Sequence, residues 1–557
     1  MNKFILSSLV FLFCGCAAIK HTAVDTKDYF PLYPESYYTN ETRQEIQTLE
    51  ALQQPNIYQK KRLIDLYNIE LKKLKTSNPR VEEIKQKVFI LTQDTQELQK
   101  EKIEVDTYLQ KLSQPEKKPD FNGTPEIKRD FFDAASLWNR NELDASWAKI
   151  NKIYLDPKAK NKLSDKELFR VANLRIRIAL EMAKNEEALK TYEELKKLDD
   201  CSNDIANTAF TLSLHLFINN QKAQAKNLFE NQCDPDKSRA NLIRRAYWIS
   251  RFQDNLNLQV IAENPYPGYY PLMAQLLTKK KITLNIDRDN PFSDIGSWEV
   301  PSSLHDELLQ AEKRLEFNLK KESQYHLLRA VKILKPENGD WTNERMNSLW
   351  YLTKLFRSSG NFLEAFKLYT VLWNQFPEEK LTGGLINDLF PRPYINFVNK
   401  YSEMWNVDKH LVYAIMRQES AYNPSATSSS DAKGLMQLIP PLGKSLAQTW
   451  GYQKYFQENS LYFAEHNIAL GTFHLLQLKT NLNHIALMIA AYNAGIHRVR
   501  PWARRYPDMA LDVFIELIPI QETRNYVKLV LRNYLFYKLL DSKGVVQGDV
   551  FALELKQ

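Results

Sequence analysis

The stretch NSLWYLTKLFRSSGNFLEAFKLYTVLWNQFPEE, from Asn347 to Glu379, decides the reading of the fold. It divides at Gly360 and stops at Pro377, the pattern of two helices joined by a tight turn. ANLRIRIALEMAKNEEALKTYEELKKL, from Ala172 to Leu198, is a looser copy. Helix pairs of roughly 30 to 40 residues fill the chain from residue 120 to 390. One pair cannot bury its apolar face alone, so successive pairs are expected to stack into a curved α-superhelix.

Composition points the same way. With 557 residues the chain is too long for one core, and 44% apolar, 12% aromatic and 25% charged residues describe a folded protein. Only 15 glycines are present, and Leu, Lys, Gln, Glu and Ala dominate, so an all-α class is expected. The net charge of +8 sits on scattered lysines, not on one stripe with aromatics between, and no nucleic-acid partner is expected. Leu355-Phe356, Gly360, Ala365, Tyr369 and Pro377 resemble a tetratricopeptide-type repeat, from which no ligand site can be read.

Upstream, residues 41–115 read as a helical hairpin or coiled coil. Val81, Ile84, Val88, Leu91, Leu98, Val105, Leu109 and Leu112 keep a heptad seam, interrupted by Thr95 and Lys102. Residues 17–40 form a polar linker. The first residues, MNKFILSSLVFLFCGCAAIK, place Lys3 before an apolar run from Phe4 to Phe13, too short to span a bilayer and suited to a secretory signal over 1–16. Gly15 directly before Cys16 resembles the lipobox of bacterial lipoproteins, although Phe13 and Cys14 depart from its usual residues. That resemblance implies lipidation at Cys16, with no membrane contact beyond this anchor; a plain cleaved signal is the alternative. In an oxidising compartment Cys201 and Cys233, which end helical stretches in successive units, form either a disulfide or two free buried thiols.

Near Pro391 and Pro393 the segments shorten and the turns tighten, opening a last domain over 391–557. Asn406 or Asp408 can cap a helix through KHLVYAIMRQES that places Leu411, Val412, Ile415 and Glu419 on one face. A helix C-terminus and an apolar wall both favour a neutral carboxyl, and a neutral carboxyl can protonate a leaving oxygen, as glycosidic cleavage requires. The other reading is a surface glutamate on a fraying turn.

QESAYNPSATSSSDAKGLMQLIP, then AAYNAG, then IPIQETRNYV are similar to the lytic murein transglycosylases, most closely the soluble type. The resemblance runs from Asn406 onward and implies a superhelix followed by a lysozyme-like domain of the goose type. It implies that Glu419 is the single catalytic acid. Ser428, Met436, Gln437, Tyr492, Asn493 and Glu522 are implied to bind substrate, with Met436 packing on the sugar, while Glu516 competes with Glu522 for its assignment. Asp431 stands where glycine is common, and PPLGKSLA lacks the family's threonine after the proline turn. The nine histidines form no HExxH pattern, and neither a Gly-x-Ser-x-Gly elbow nor a phosphate loop is visible. No metal or cofactor is expected.

The function implied by the resemblance is cleavage of the β-1,4 bond between N-acetylmuramic acid and N-acetylglucosamine, with 1,6-anhydro ends and no water consumed. The partners implied are glycan strands and, through residues 41–390, envelope proteins. The expected site is the periplasm, at the outer membrane. A hydrolytic muramidase and a non-catalytic envelope scaffold are the alternatives.

Overall fold

The computed structural model describes scattered positions between 63 and 88 and, with short breaks, residues 124–555. Cys16, the signal, the linker and most of the 41–115 seam lie outside the described residues. Within that seam, Ile84 and Val88 pack with Leu63, Leu66, Tyr67 and Leu71.

Helix pairs dominate from residue 125 onward. Helix α1 (Pro125–Asn139) pairs with α2 (Leu143–Tyr154), and the short α3 (Pro157–Lys160) leads to α4 (Asp165–Glu181) and α5 (Asn185–Leu198). Next come α6 (Asn203–Ile218), α7 (Lys222–Asn231), α8 (Arg239–Phe252), α9 (Leu258–Ala262) and α10 (Tyr269–Lys279). Two further pairs are α11 (Ser302–Glu316) with α12 (Lys320–Leu334) and α13 (Asn343–Ser358) with α14 (Phe362–Gln375); α15 (Gly383–Leu389) closes the region.

One turn geometry recurs. Asn141, Ala183, Asn220 and Gly360 all adopt positive φ, at 65°, 57°, 62° and 80°. The next N–H in each case donates five residues back, from Glu142 to Leu137, Lys184 to Ala179, Gln221 to Leu216 and Asn361 to Phe356. This closure satisfies the last carbonyls of the first helix and reverses the chain. Ala183 holds a conformation that costs an alanine about 1 kcal/mol. Side-chain caps start the helices: Thr124 accepts from Ile127 N–H, Ser202 from Ile205 N–H, and Ser164 forms a capping box with Glu167.

The remaining helices are α16 (Ile395–Trp405), α17 (Lys409–Ser420), α18 (Pro440–Trp450), α19 (Ala464–Asn481), α20 (Ile485–Ala494), α21 (Ile496–Arg505), α22 (Leu511–Leu517) and α23 (Gln521–Asp541). The apolar core does not break at residue 391: one cluster runs from Trp350, Phe366 and Phe390 into Val412, Ile415 and Tyr537. The all-α expectation holds, with one small ribbon added. Strands β1 (Lys281–Thr283) and β2 (Val545–Gln547) pair antiparallel with Ile282 opposite Val546, tying the chain's last segment to the end of α10.

Cys201 and Cys233 are bonded, with Cα atoms 5.2 Å apart. The bond staples the start and end of one hairpin, α6 and α7, where the sequence suggested a link between neighbouring hairpins. Among the described residues, no helix is long and apolar enough to cross a membrane.

Candidate active site

Helix α17 starts where Asp408 accepts from His410 N–H, so Asp408, and not Asn406, is the cap. Asn406 instead ends α16 at φ 48°. The apolar face of α17 is buried throughout, and Arg417 near its end donates to Leu389 O over the rings of Phe366 and Phe390. Two residues of positive φ follow, Ala421 and Tyr422 at 48° and 63°. The ring of Tyr422 is buried against Phe362 and Phe366 of α14, so the chain leaves the helix at a strained, packed corner.

Glu419 sits in this last turn and is half-buried. Burial pushes its carboxyl up from 4.5 to about 8; the Tyr526 hydroxyl, which donates to Glu419 Oε1 at 2.5 Å, pulls it down, and the charge of Glu522 pushes it up. The carboxyl is therefore protonated at neutral pH while keeping a face open to a ligand. That combination suits a proton donor.

The GLMQ loop forms one side. Gly434 has φ 77°, and a Cβ there would stand 2.1 Å from Leu461 O and 2.4 Å from Asn467 Nδ2, so only glycine fits. Asn467, fully buried, donates to Lys433 O and Leu461 O and accepts from Met436 N–H. Ser420 links the loop to α17 by donating to Leu435 O at 2.8 Å. Gln437 Nε2 donates to Ala426 O and Gly434 O, which leaves its carbonyl oxygen as the end open to a ligand. The Ser428 oxygen accepts from Ser430 and Ala432 N–H and keeps its own hydrogen to donate. Asp431 takes the positive φ expected of it, 61°.

Met436 departs from its expected place. It is 0% exposed and lies against Gly471, where a Cβ would stand 2.3 Å from its sulfur, so it packs under the site and offers no surface to a sugar.

The opposite side comes from α20 and α23. Tyr492 is half-buried, its hydroxyl donates to Met436 O at 2.8 Å, and burial followed by the Glu419 charge hold its pKa high. His474, whose ring lies 5.3 Å from that of Tyr492, is pushed by burial to about 4 and is neutral near pH 7. Asn493 Oδ1 accepts from Thr523 at 2.6 Å, which joins the end of α20 to the start of α23. Glu522 is exposed on the first turn of α23. Glu516 is a different kind of residue: buried, it accepts from Tyr270 and Lys528, whereas Glu522 is exposed.

Sequence reasoning does not single out Tyr526, Asn467 or Ser420. Tyr526 lies inside the IPIQETRNYV stretch, four residues after Glu522, so its helical position is the one signal that points to it. Among the described residues, no group of three or more His, Cys, Asp or Glu side chains could hold a metal ion.

Residues 396–514 match the family model described as Transglycosylase SLT domain. A stretch of 155 residues is 41% identical to a chain of Haemophilus influenzae, covering 28% of this chain and 26% of that one. The soluble lytic murein transglycosylase of Salmonella typhimurium is 28% identical over 292 residues, 51% of this chain and 41% of the relative. The chain thus spans less than half the length of these curated relatives. In fold, it is similar to the lytic transglycosylase Slt of Pseudomonas aeruginosa, with a TM-score of 0.55 and 16% identity over 94% of this chain and 85% of that one. Residues 396–514 are thus similar to the transglycosylase SLT domain, within a helical chain that over part of its length is similar to the soluble lytic murein transglycosylases.

Proposed function

We propose that this chain is a peptidoglycan lytic transglycosylase in which Glu419 acts first as acid and then as base. One observation carries the reading: a half-buried carboxyl at a helix end, held at a pKa of about 8 and bonded to Tyr526. Glu419 protonates the glycosidic oxygen as the C1–O bond to N-acetylglucosamine breaks, and the muramoyl acetamido group stabilises the anomeric centre. The ionised Glu419 then accepts the proton of the C6 hydroxyl, whose oxygen bonds to C1 and closes the 1,6-anhydro ring. Ser428, Gln437, Tyr492 and Asn493 orient the sugars. The division at 41–115, 120–390 and 391–557, an anchor at Cys16 and partner contacts through 41–390 belong to the same proposal.

A hydrolytic reading has one observation in its favour. Glu522 is exposed and near enough to act on Glu419 by its charge, as a base for water would be. Digestion of purified peptidoglycan by the parent chain and by Glu419→Gln, with the sugar ends weighed, separates the two. Anhydro ends from the parent alone support the transglycosylase, and reducing ends select the muramidase. Binding without cleavage by the parent selects the scaffold.

A further inference from the structure

The segment that links the two helices of the second side of the site, from α20 to α23, is moored in the superhelix by buried ionic and hydroxyl–carboxylate bonds. On α21, Arg505 donates to Glu181 and to the carbonyl of Trp138. On α22, Asp512 accepts from Tyr247 at 2.6 Å and from Arg251 at 2.7 Å. Glu516, one turn further, accepts from the Tyr270 hydroxyl at 2.6 Å and from Lys528 Nζ at 3.1 Å. Tyr270 belongs to α10, whereas Lys528 belongs to α23, two residues beyond Tyr526.

Two residues apart on a helix, side chains point to different sides. Lys528 reaches towards Glu516 and Tyr270, and Tyr526 reaches towards Glu419. The helix between them is a continuous hydrogen-bonded rod, so displacement at Lys528 is displacement at Tyr526. A 2.5 Å bond tolerates little of it. Buried ion pairs contribute little net stability compared with apolar packing, and their best-attested use is to fix one arrangement among several. Glu516, 5% exposed, is surrounded for that role: Lys528, Arg244 and Arg524 face it with positive charge and hold its carboxyl below the ordinary range despite burial.

We infer that Tyr270 of the superhelix is a positioning residue for Glu419: through Glu516 and Lys528 it sets the first turns of α23, and with them the Tyr526 hydroxyl. The superhelix then contributes to catalysis by placement as well as by any role in access. This rests on the assignment of Glu419 as the acid.

The test uses the full chain with Tyr270→Phe, which removes one hydroxyl and keeps the ring. Its kcat on peptidoglycan is expected to fall three- to thirty-fold at unchanged KM, and the alkaline limb of the pH profile to move upward, as in Tyr526→Phe. The double variant is expected to be no worse than Tyr526→Phe alone. Lys528→Arg, which keeps the ion pair, should retain activity that Lys528→Met loses. A lower Tm with kcat and the alkaline limb unmoved, or penalties that multiply in the double variant, would overturn the inference. The Tm gap between each variant and the same variant carrying Glu419→Gln, followed against pH, reports the Glu419 proton without catalysis. A parent inactive on peptidoglycan would therefore sink the functional assignment while leaving the coupling measurable.

Discussion

The Tyr526 hydroxyl donates to Glu419 Oε1, and the Glu522 carboxylate acts on the same group with the opposite sign. One residue pulls the Glu419 pKa down and the other pushes it up, from positions one turn apart on α23. Burial supplies the larger part of the upward shift. The site thus has one coarse and two fine controls on a single proton.

Opposite substitutions should move the pH profile in opposite directions. Tyr526→Phe removes a bond that favours the ionised carboxyl, so the alkaline limb of kcat/KM moves to higher pH, with activity reduced about 10-fold through lost orientation. Glu522→Gln removes a like charge, so the limb moves to lower pH. Limbs that move together would contradict the arrangement.

Stability against pH should reveal the same carboxyl. Its folded pKa of about 8 exceeds its ordinary 4.5. The folded state therefore binds the proton more tightly, and the contribution is intact below 4.5 and lost as pH rises through 8. Glu419→Gln removes the loss. The variant's Tm should rise relative to the parent's across that window, by a free energy of at most about 5 kcal/mol. A gap independent of pH would mean the carboxyl is not buried as described.

Two glycines of similar φ should respond differently to alanine. Gly434 and Gly451 have φ of 77° and 81°. A Cβ at Gly451 meets nothing within 4 Å, whereas one at Gly434 strikes a backbone oxygen. Gly451→Ala should cost about 1 kcal/mol, the conformational penalty alone. Gly434→Ala should cost about 3 kcal/mol or more and distort the loop that carries Gln437. Urea melts of both variants check this.

The α6–α7 staple closes a loop of 32 residues. Cys201→Ser with Cys233→Ser should lower stability by about 3 kcal/mol, chiefly by freeing the unfolded chain. Activity of the folded fraction should be unchanged, since neither cysteine belongs to the site.

How much of the fold and site is legible in the sequence depends on the range of the interactions. Gly360 announces its turn because glycine accepts positive φ, whereas Ala183 makes the same turn with a residue that gives no such signal. Strands β1 and β2 are three residues each and far apart in the chain, below what alternation can reveal. Glu419 stands out because a carboxyl on an apolar helix face is anomalous. Its partner Tyr526, 107 residues away, does not, since an aromatic on a helix usually means packing. Met436 belongs to the core and not to the cleft: Leu435 and Met436 are both 0% exposed and Gln437 alone of the four is half-buried, and spacing alone does not say which of them faces the cleft.

The most direct test of the central claim is digestion of peptidoglycan in water enriched in oxygen-18, with the cleaved muramoyl ends weighed. A single carboxyl acting as acid and then base, with the C6 hydroxyl as nucleophile, predicts anhydro ends with no label. Reducing ends carrying one oxygen-18 would contradict it and transfer the second role to a base for water, with Glu522 the first to examine.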